Sequence, residues 1–509
     1  MSATFATILR ELAVRTPDAP ALTCEDESWT FGAFDAITSQ SARALLGAGI
    51  QPGDRVGILA RNCADFYALI FACSKMGAIV VGINWRLSPL EIEAIVADAK
   101  PAIMFVGTQG EDSLLSETAR ATPSLRQVIG LGAGFSAWRA TAPASDPGHV
   151  GAPDDVAMIL YTSGTTGLPK GAMLTNRGMA YTQRLGQGWG MGPDSVNLVA
   201  MPLFHIGGSG YGTSTFLVGG HTILMREVNL PLIVETMERH RVTHAFFVPT
   251  VLQGLLDVPG IEKADLSHFR LLMYGASPIG EALLRRALAI LGCGFMQAYG
   301  MTETSGTIVT LDPEEHQLDG TRPDRLRSCG KALPFADIRI IDPMTQDECA
   351  AGSVGEIWVR SEMVMKGYWD NPRATAETIL TGGWLRTGDA AYRDDDGYIY
   401  LFDRFKDMII SGGENIYPAE IENALLFHPA VSEAAVIGVP HERWGETPRA
   451  IIVPKPGQEA TQDDILAFVR TRLARYKCPT SIIFVQSLPR NASGKLLKRE
   501  LRRLYKPVE

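Results

Sequence analysis

Short apolar runs alternate with helix-length segments over the first hundred residues, and this alternation most narrows what the chain can fold into. Arg55–Ala60, Ala78–Gly82 and Ala102–Val106 read as strands. Asp65 to Met76 reads as a helix that stops at Gly77, and Ser88-Pro89-Leu90-Glu91 supplies a capping box with proline at the first helical position. Such strand–helix–strand order predicts a doubly wound parallel sheet. The pattern resumes at Val196–Ala200, Thr222–Met225, His244–Val248 and Arg270–Tyr274, with a helix opened by Asn229 and Pro231. Two successive α/β layers are expected, separated by a Gly-, Ala-, Pro- and Asp-rich linker at 131–154.

Beyond about residue 335 the rhythm shortens. Asp337–Ile341, Gly355–Val359, Ala390–Arg393 and Tyr398–Leu401 are short strands between turns, which predicts a small antiparallel sheet or barrel. Past Asp403 the pattern is mixed again, with a helix opened at Pro418, strands near 434–439 and 449–454, and a helix from Thr461. A chain of 509 residues exceeds one hydrophobic core. The expected boundary lies in Asp403-Arg404-Phe405-Lys406-Asp407, giving a large domain over 1–403 (barrel from about 320) and a smaller one over 404–509.

With 46% hydrophobic and 20% charged residues the composition is that of a soluble globular protein, and a net charge of -9 argues against nucleic acid as a partner. The seven cysteines show no Cys-x-x-Cys or metal-ligand spacing, which points to reduced thiols and no structural zinc. Phe5, Ile8, Leu9 and Leu12 share one face of an N-terminal helix, without the apolar core of a signal peptide. No run reaches the length of a membrane span, so a cytoplasmic enzyme is expected.

The chemistry concentrates after Val156–Leu160, an apolar strand followed by Tyr161-Thr162-Ser163-Gly164-Thr165-Thr166-Gly167-Leu168-Pro169-Lys170-Gly171. Glycines let backbone N–H groups close on an anion, and clustered N–H groups form a nest for phosphate oxygens. The hydroxyls add donors and Lys170 a mobile charge. The spacing is not that of a Walker A loop, and Lys170 follows proline, so the loop need not open a helix. The second α/β layer is expected to carry it.

This stretch resembles the phosphate loop of the adenylate-forming superfamily, which includes acyl- and aryl-CoA synthetases. Further segments match that superfamily in order: Met201-Pro-Leu-Phe-His-Ile-Gly207, Tyr274-Gly-Ala-Ser-Pro278, Gln297-Ala-Tyr-Gly-Met-Thr-Glu303, Trp384-Leu-Arg-Thr-Gly-Asp389, Asp403 to Ile416, and Pro489-Arg-Asn-Ala-Ser-Gly-Lys495. The resemblance implies an α/β fold: two doubly wound subdomains and a small β-barrel in a large N-terminal domain, with a mobile α+β C-terminal domain. It implies ATP and Mg²⁺ as cofactors, and a carboxylic acid and coenzyme A as the other substrates. The acid would be adenylated with release of pyrophosphate, then passed to the thiol with release of AMP. A homodimer is compatible with this reading and is left open.

Site roles follow from the same resemblance. Lys495 would bridge the acid's carboxylate and the α-phosphate, and Thr302 would donate to that phosphate. Thr162, Ser163, Gly164, Thr165, Thr166, Gly167 and Lys170 would hold the outer phosphates, and Glu303 the Mg²⁺, a hard cation that prefers oxygen ligands. Asp389 would take both ribose hydroxyls beside Arg404. Gly275, Ala276 and Ser277 would lie against adenine, with Tyr299, Gly300 and Met301 completing the nucleotide site. His205 would gate the thiol channel, which Gly413 lines, and Lys406 would be the hinge between half-reactions. Gly207, Gly208, Phe247 and Gly300 would shape the acyl pocket. The position of Gly300 carries a tryptophan in acetate-activating members, so its absence points to a medium- or long-chain or bulky aryl acid. Alternatives are an adenylating enzyme with another acceptor, or a catalytically silent acyl-adenylate- or lipid-binding protein.

Overall fold

The computed structural model describes residues 3–162, 169–277, 279–316, 323–404, 407–411, 414–458, 460–490 and 496–505. Its strands form four sheets. The first has six strands in the order Gln127–Gly130, Ile103–Val106, Arg55–Leu59, Ile79–Ile83, Val156–Thr162, Lys170–Thr175, all parallel except the last. Local signals hold well here. The Ala64–Met76 helix ends on Gly77 at φ 79°, and Ser88 and Glu91 make the capping box reciprocally.

The second sheet has nine strands: Lys331–Ala332, Gly306–Leu311, Gly294–Met301, Leu271–Gly275, His244–Phe247, Val196–Val199, His221–Leu224, Pro20–Cys24 and Glu27–Thr30. The six strands from Gly294–Met301 to Pro20–Cys24 run parallel, and antiparallel strands close both edges. Two expectations are corrected. The strands flanking the phosphate loop belong to the first sheet, because Val156–Thr162 pairs with Ile79–Ile83. The linker at 131–154 contains the Ala133–Arg139 helix, whose Phe135 packs edge-on against Phe105 at 5.4 Å.

Alternation along the second sheet separates two apolar layers. Leu198, Ala245, Phe247, Leu272, Tyr274 and Phe295 pack beneath the helices Leu230–Arg239, Pro249–Leu256 and Glu281–Leu291. Phe246, Leu271, Met273, Met296 and Ala298 face the opposite layer, with Tyr181, Trp189 and Tyr211. The third sheet is antiparallel, in the order Ala336–Ile341, Gly355–Ser361, Leu385–Arg393, Ile399–Arg404. The described residues pair as an open path where a small sheet or barrel was expected. The fourth sheet lies in the last hundred residues, where Val431–His441 and Gly445–Pro454 form a long hairpin and Ser481–Phe484 adds in parallel. Among the described residues no helix is long and apolar enough to cross a membrane.

The linker is fastened by charge. Lys75 is fully buried, and its ammonium meets Asp35 at 2.5 Å, Ser39 at 2.6 Å and Asp146 at 3.2 Å. Arg10 grips the same Asp146 with two nitrogens at 2.8 and 2.9 Å. Burial pushes the Asp146 carboxyl up, but Arg10, the Gly148 N–H and Lys75 more than offset this and hold it at about 2. A depressed carboxyl contributes stability above its unfolded value, near 3.9, and that contribution is lost as pH falls toward 2. Asp146→Asn should therefore lower the unfolding free energy measured in urea near neutral pH by about 2 kcal/mol or more, because the buried Lys75 loses a partner. The gap between the two proteins should narrow between pH 4 and pH 2 as the wild-type carboxylate is protonated; a gap independent of pH would show that packing, not charge, fastens the linker.

Candidate active site

The antiparallel pair that frames the phosphate loop sets Thr162 opposite Lys170, so the glycine-rich segment connects two strands and opens no helix. Thr162 stands beside Glu303, with its hydroxyl 3.4 Å from Oε1. Glu303 lies on a single 3₁₀ turn, Thr302–Thr304, which follows directly on the Gly294–Met301 strand. It is buried, and the Tyr368 hydroxyl donates to Oε1 at 2.9 Å. The Lys170 ammonium sits 5.1 Å from the centre of the Tyr368 ring. Three expected residues, Thr162, Lys170 and Glu303, are thus brought together around a fourth that the sequence reading missed. Tyr368 is about two hundred residues from the loop and belongs to no local pattern; its bridge to Ala172 places it there.

Tyr299 and Asp389 meet at the other end of the same segment. The Tyr299 hydroxyl donates to Asp389 Oδ2 at 2.8 Å. Burial and the adjacent carboxylate both raise the phenol well above its usual value, so Tyr299 remains a donor at any ordinary pH. Asp389 is the cross-strand partner of Arg404 in the third sheet. The run from Tyr299 to Glu303 therefore joins a hydroxyl–carboxylate pair to the phosphate-loop strands. A Cβ on Gly275 would lie 2.2 Å from the Ala298 carbonyl oxygen, so its missing side chain lets two strands approach. Ala276 follows in the left-handed region at φ 64°, beside the half-buried Ser277.

His205 begins the short Ile206–Ser209 helix, with its ring 4.6 Å from Phe204. Burial, aided by the Arg86 cation, holds its imidazole down to about 4, so the ring is neutral near pH 7. Its Nε2 has no hydrogen-bond partner among the described residues. A Cβ on Gly207 would stand 3.5 Å from the Phe246 ring. The other two glycines expected at the acyl pocket meet backbone closely. Gly208 faces the Pro202 carbonyl, where a Cβ would come within 2.1 Å, and Gly300 faces the Gly306 carbonyl, where it would come within 2.0 Å. Both glycines serve close backbone packing, and Gly300 sits at a register shift between its strand and Gly306–Leu311. Phe247 points into the layer away from Gly207; its neighbour Phe246 is the one that faces it. Met301 and Thr302 are half-buried at the start of the 3₁₀ turn.

Ser163, Gly164, Thr165, Thr166, Gly167, Lys406, Gly413 and Lys495 lie outside the described residues. Among those described, no group of three or more His, Cys, Asp or Glu side chains could hold a metal. A divalent cation at this site would therefore be shared between Glu303 and phosphate oxygens, as Mg²⁺ commonly is. A buried carboxylate beside a hydroxyl-rich anion loop fits that arrangement.

Comparison with known proteins places this geometry in a family. The AMP-binding enzyme family matches residues 9–369, and the AMP-binding enzyme C-terminal domain matches residues 420–495. The chain is 39% identical over 498 residues to the fatty acid–[acyl-carrier-protein] ligase ScoC of Streptomyces coeruleorubidus, covering 96% of this chain and 94% of that one. It is 39% identical over 492 residues to a feruloyl-CoA synthase of Amycolatopsis sp, covering 96% of each. The crystal structure of ATP-bound MatB from Rhodopseudomonas palustris superposes with a TM-score of 0.91 at 30% identity, covering 99% of both chains. The chain belongs to the AMP-binding enzyme family.

Proposed function

We propose that this enzyme adenylates a bulky aryl or medium- to long-chain carboxylic acid on the surface formed by Thr162, Lys170, Glu303, Tyr299 and Asp389, and then transfers the acyl group to coenzyme A. The observation that carries the reading is the meeting of Thr162 and Glu303. It sets the mouth of an anion-binding loop against a buried carboxylate, which is what a nucleotide triphosphate and its cation require. In this reading Ser163, Gly164, Thr165, Thr166 and Gly167 cradle the phosphates with Lys170. Glu303 holds Mg²⁺, which when bound offsets charge on the phosphates. Thr302 donates to the α-phosphate. Asp389 and Arg404 hold the ribose, and the Tyr299 hydrogen bond aims the Asp389 carboxylate. Ala276, Ser277, Gly300 and Met301 border the base.

Attack by a carboxylate on phosphorus brings two anions together, so a cation must stand at the reacting centre. Lys495 is assigned that task, on a C-terminal domain over 404–509 that turns about Lys406 between half-reactions. Support for a separate domain is that its sheet shares no strand pairing with the other three among the described residues. After the turn Gly413 and His205 would border the path of the thiol, where a neutral imidazole adds no charge. All seven cysteines are free, in keeping with a cytoplasmic location.

A carrier-protein thiol as acceptor is the second reading, favoured by the acceptor in the name of ScoC. Residues 404–509 hold sixteen Lys and Arg against twelve Asp and Glu in a chain of net charge -9. That local surplus suits either polyanionic coenzyme A or an acidic carrier. Thioester formation measured with each acceptor in turn decides between them.

Lys495→Ala should slow acyl-adenylate formation at least about 10²-fold. Thioester formation from supplied acyl-adenylate should stay near wild type, because the lysine has left by then. Equal loss in both halves would give Lys495 a structural role. A second expectation concerns Gly300. Since a side chain there meets backbone, Gly300→Ala and Gly300→Trp should both depress kcat/KM on every acid alike and lower Tm. A changed ranking of acids, with short ones spared by tryptophan, would restore Gly300 as a pocket floor.

A further inference from the structure

The second sheet buries an amide that the described residues do not fully satisfy. Asn197 is the second residue of the Val196–Val199 strand and is fully buried. Its Oδ1 accepts the Tyr211 hydroxyl at 2.9 Å, whereas its Nδ2 has no acceptor among the described residues. An unpaired donor in this position is costly, and an apolar residue such as its neighbour Leu198 would avoid the cost. A buried amide kept half-satisfied on a sheet face suits a ligand that completes it.

That face leads back to the acyl side of the site. The Tyr211 ring lies 5.4 Å from Phe246 and 5.9 Å from Trp189, and Phe246 is the ring that confronts Gly207. Met273 and Met296 pack in the same layer, and methionines yield readily to an incoming group. Asn197 stands three residues before Ala200, the last before the Met201–Gly207 segment. At about 3.3 Å per residue it lies on the order of 10 Å below the strand's carboxyl edge, where ligands bind in such sheets.

We propose, building on the function assigned above, that the acid this enzyme activates carries an uncharged hydroxyl at its far end, received by Asn197 and Tyr211 at the bottom of the aromatic layer. A hydroxyl both accepts and donates, so it can take the free N–H without stranding its own proton. The groups around Asn197 favour a neutral tail. Its register partners are Thr222 and His244, both buried. His244 bonds Thr243 Oγ1 at 2.7 Å, and burial, against the opposing pull of the Trp189 backbone, holds its imidazole at about 4. The two charges that reach His244, Arg270 and Asp194, pair with each other at 2.7 Å, so neither is left to hold a carboxylate or ammonium tail. The span from the strand edge suits a phenylpropanoid-sized acid, or a fatty acid of like reach, more than a long unbranched chain.

The test compares acids that differ only in the terminal hydroxyl: 4-hydroxycinnamate with cinnamate, and 8-hydroxyoctanoate with octanoate. Pyrophosphate release gives kcat/KM for each with the wild type, Asn197→Leu and Tyr211→Phe. The wild type should prefer the hydroxylated member of at least one pair by about tenfold or more, since a site built to bond a hydroxyl discriminates against the analogue without it. Asn197→Leu should lose that preference through loss on the hydroxylated acid, and Tyr211→Phe should weaken it. A wild type that turns over both members of each pair equally overturns the proposal, whatever the variants do, and means that the amide is satisfied by a trapped water. A preference retained in a folded Asn197→Leu also overturns it. Failure to release pyrophosphate with any acid would overturn the proposed function, and this inference with it.

Discussion

Glu303 is a carboxylate with little water around it, and separate parts of the chain converge on it. Thr162 reaches it from the end of the first sheet, Tyr368 from the segment ahead of the Pro372–Thr378 helix, and its own turn hangs from the central strands of the second sheet. A buried carboxylate is tolerated only where donors or cations face it. Around it Thr162, Lys170 and the Tyr299–Asp389 pair lie along one run of the chain's fold. The Met365 N–H donating to the Glu303 carbonyl at 2.8 Å fastens the backbone at the same point. In the function proposed above, a cation would offset the negative charge that a triphosphate brings to Glu303.

Much of this was legible in the sequence, and the reasons are local. Gly77 ends a helix because it takes φ 79°, Ser88 and Glu91 cap another, and Asn229 opens a third by accepting from the Leu232 N–H. Each is decided by a few neighbouring residues, so the sequence shows it. The strands around Val56, Ile159 and Leu272 stand out because parallel strands are buried on both faces and read as continuous apolar runs. Glu303, Lys170 and Asp389 stand out by their motifs, not by periodicity.

What stayed hidden depends on contacts between distant segments. The phosphate-loop strands were expected in the second layer, yet nothing in Val156–Thr162 itself announces that it pairs with Ile79–Ile83. Tyr368 gains its place beside Glu303 only through a bridge to Ala172. The acyl side shows the same limit at finer grain. Phe246 and Phe247 are equivalent on paper, but a strand sends them to opposite faces, and only the packed helices reveal which face meets Gly207. Gly208 and Gly300 read as open space in a sequence, whereas in the fold each is filled by a carbonyl from elsewhere.

The account rests on Glu303 acting through its charge at the nucleotide, and ATP–pyrophosphate exchange on Glu303→Gln measures that directly. Glutamine keeps the shape and can still accept the Tyr368 hydroxyl, so the fold should survive while the cation loses its protein ligand. The predicted result is exchange lowered at least about 10²-fold, with a higher Mg²⁺ concentration needed for half-maximal rate and an unchanged circular dichroism spectrum. Exchange at the wild-type rate and the wild-type Mg²⁺ requirement would contradict the account.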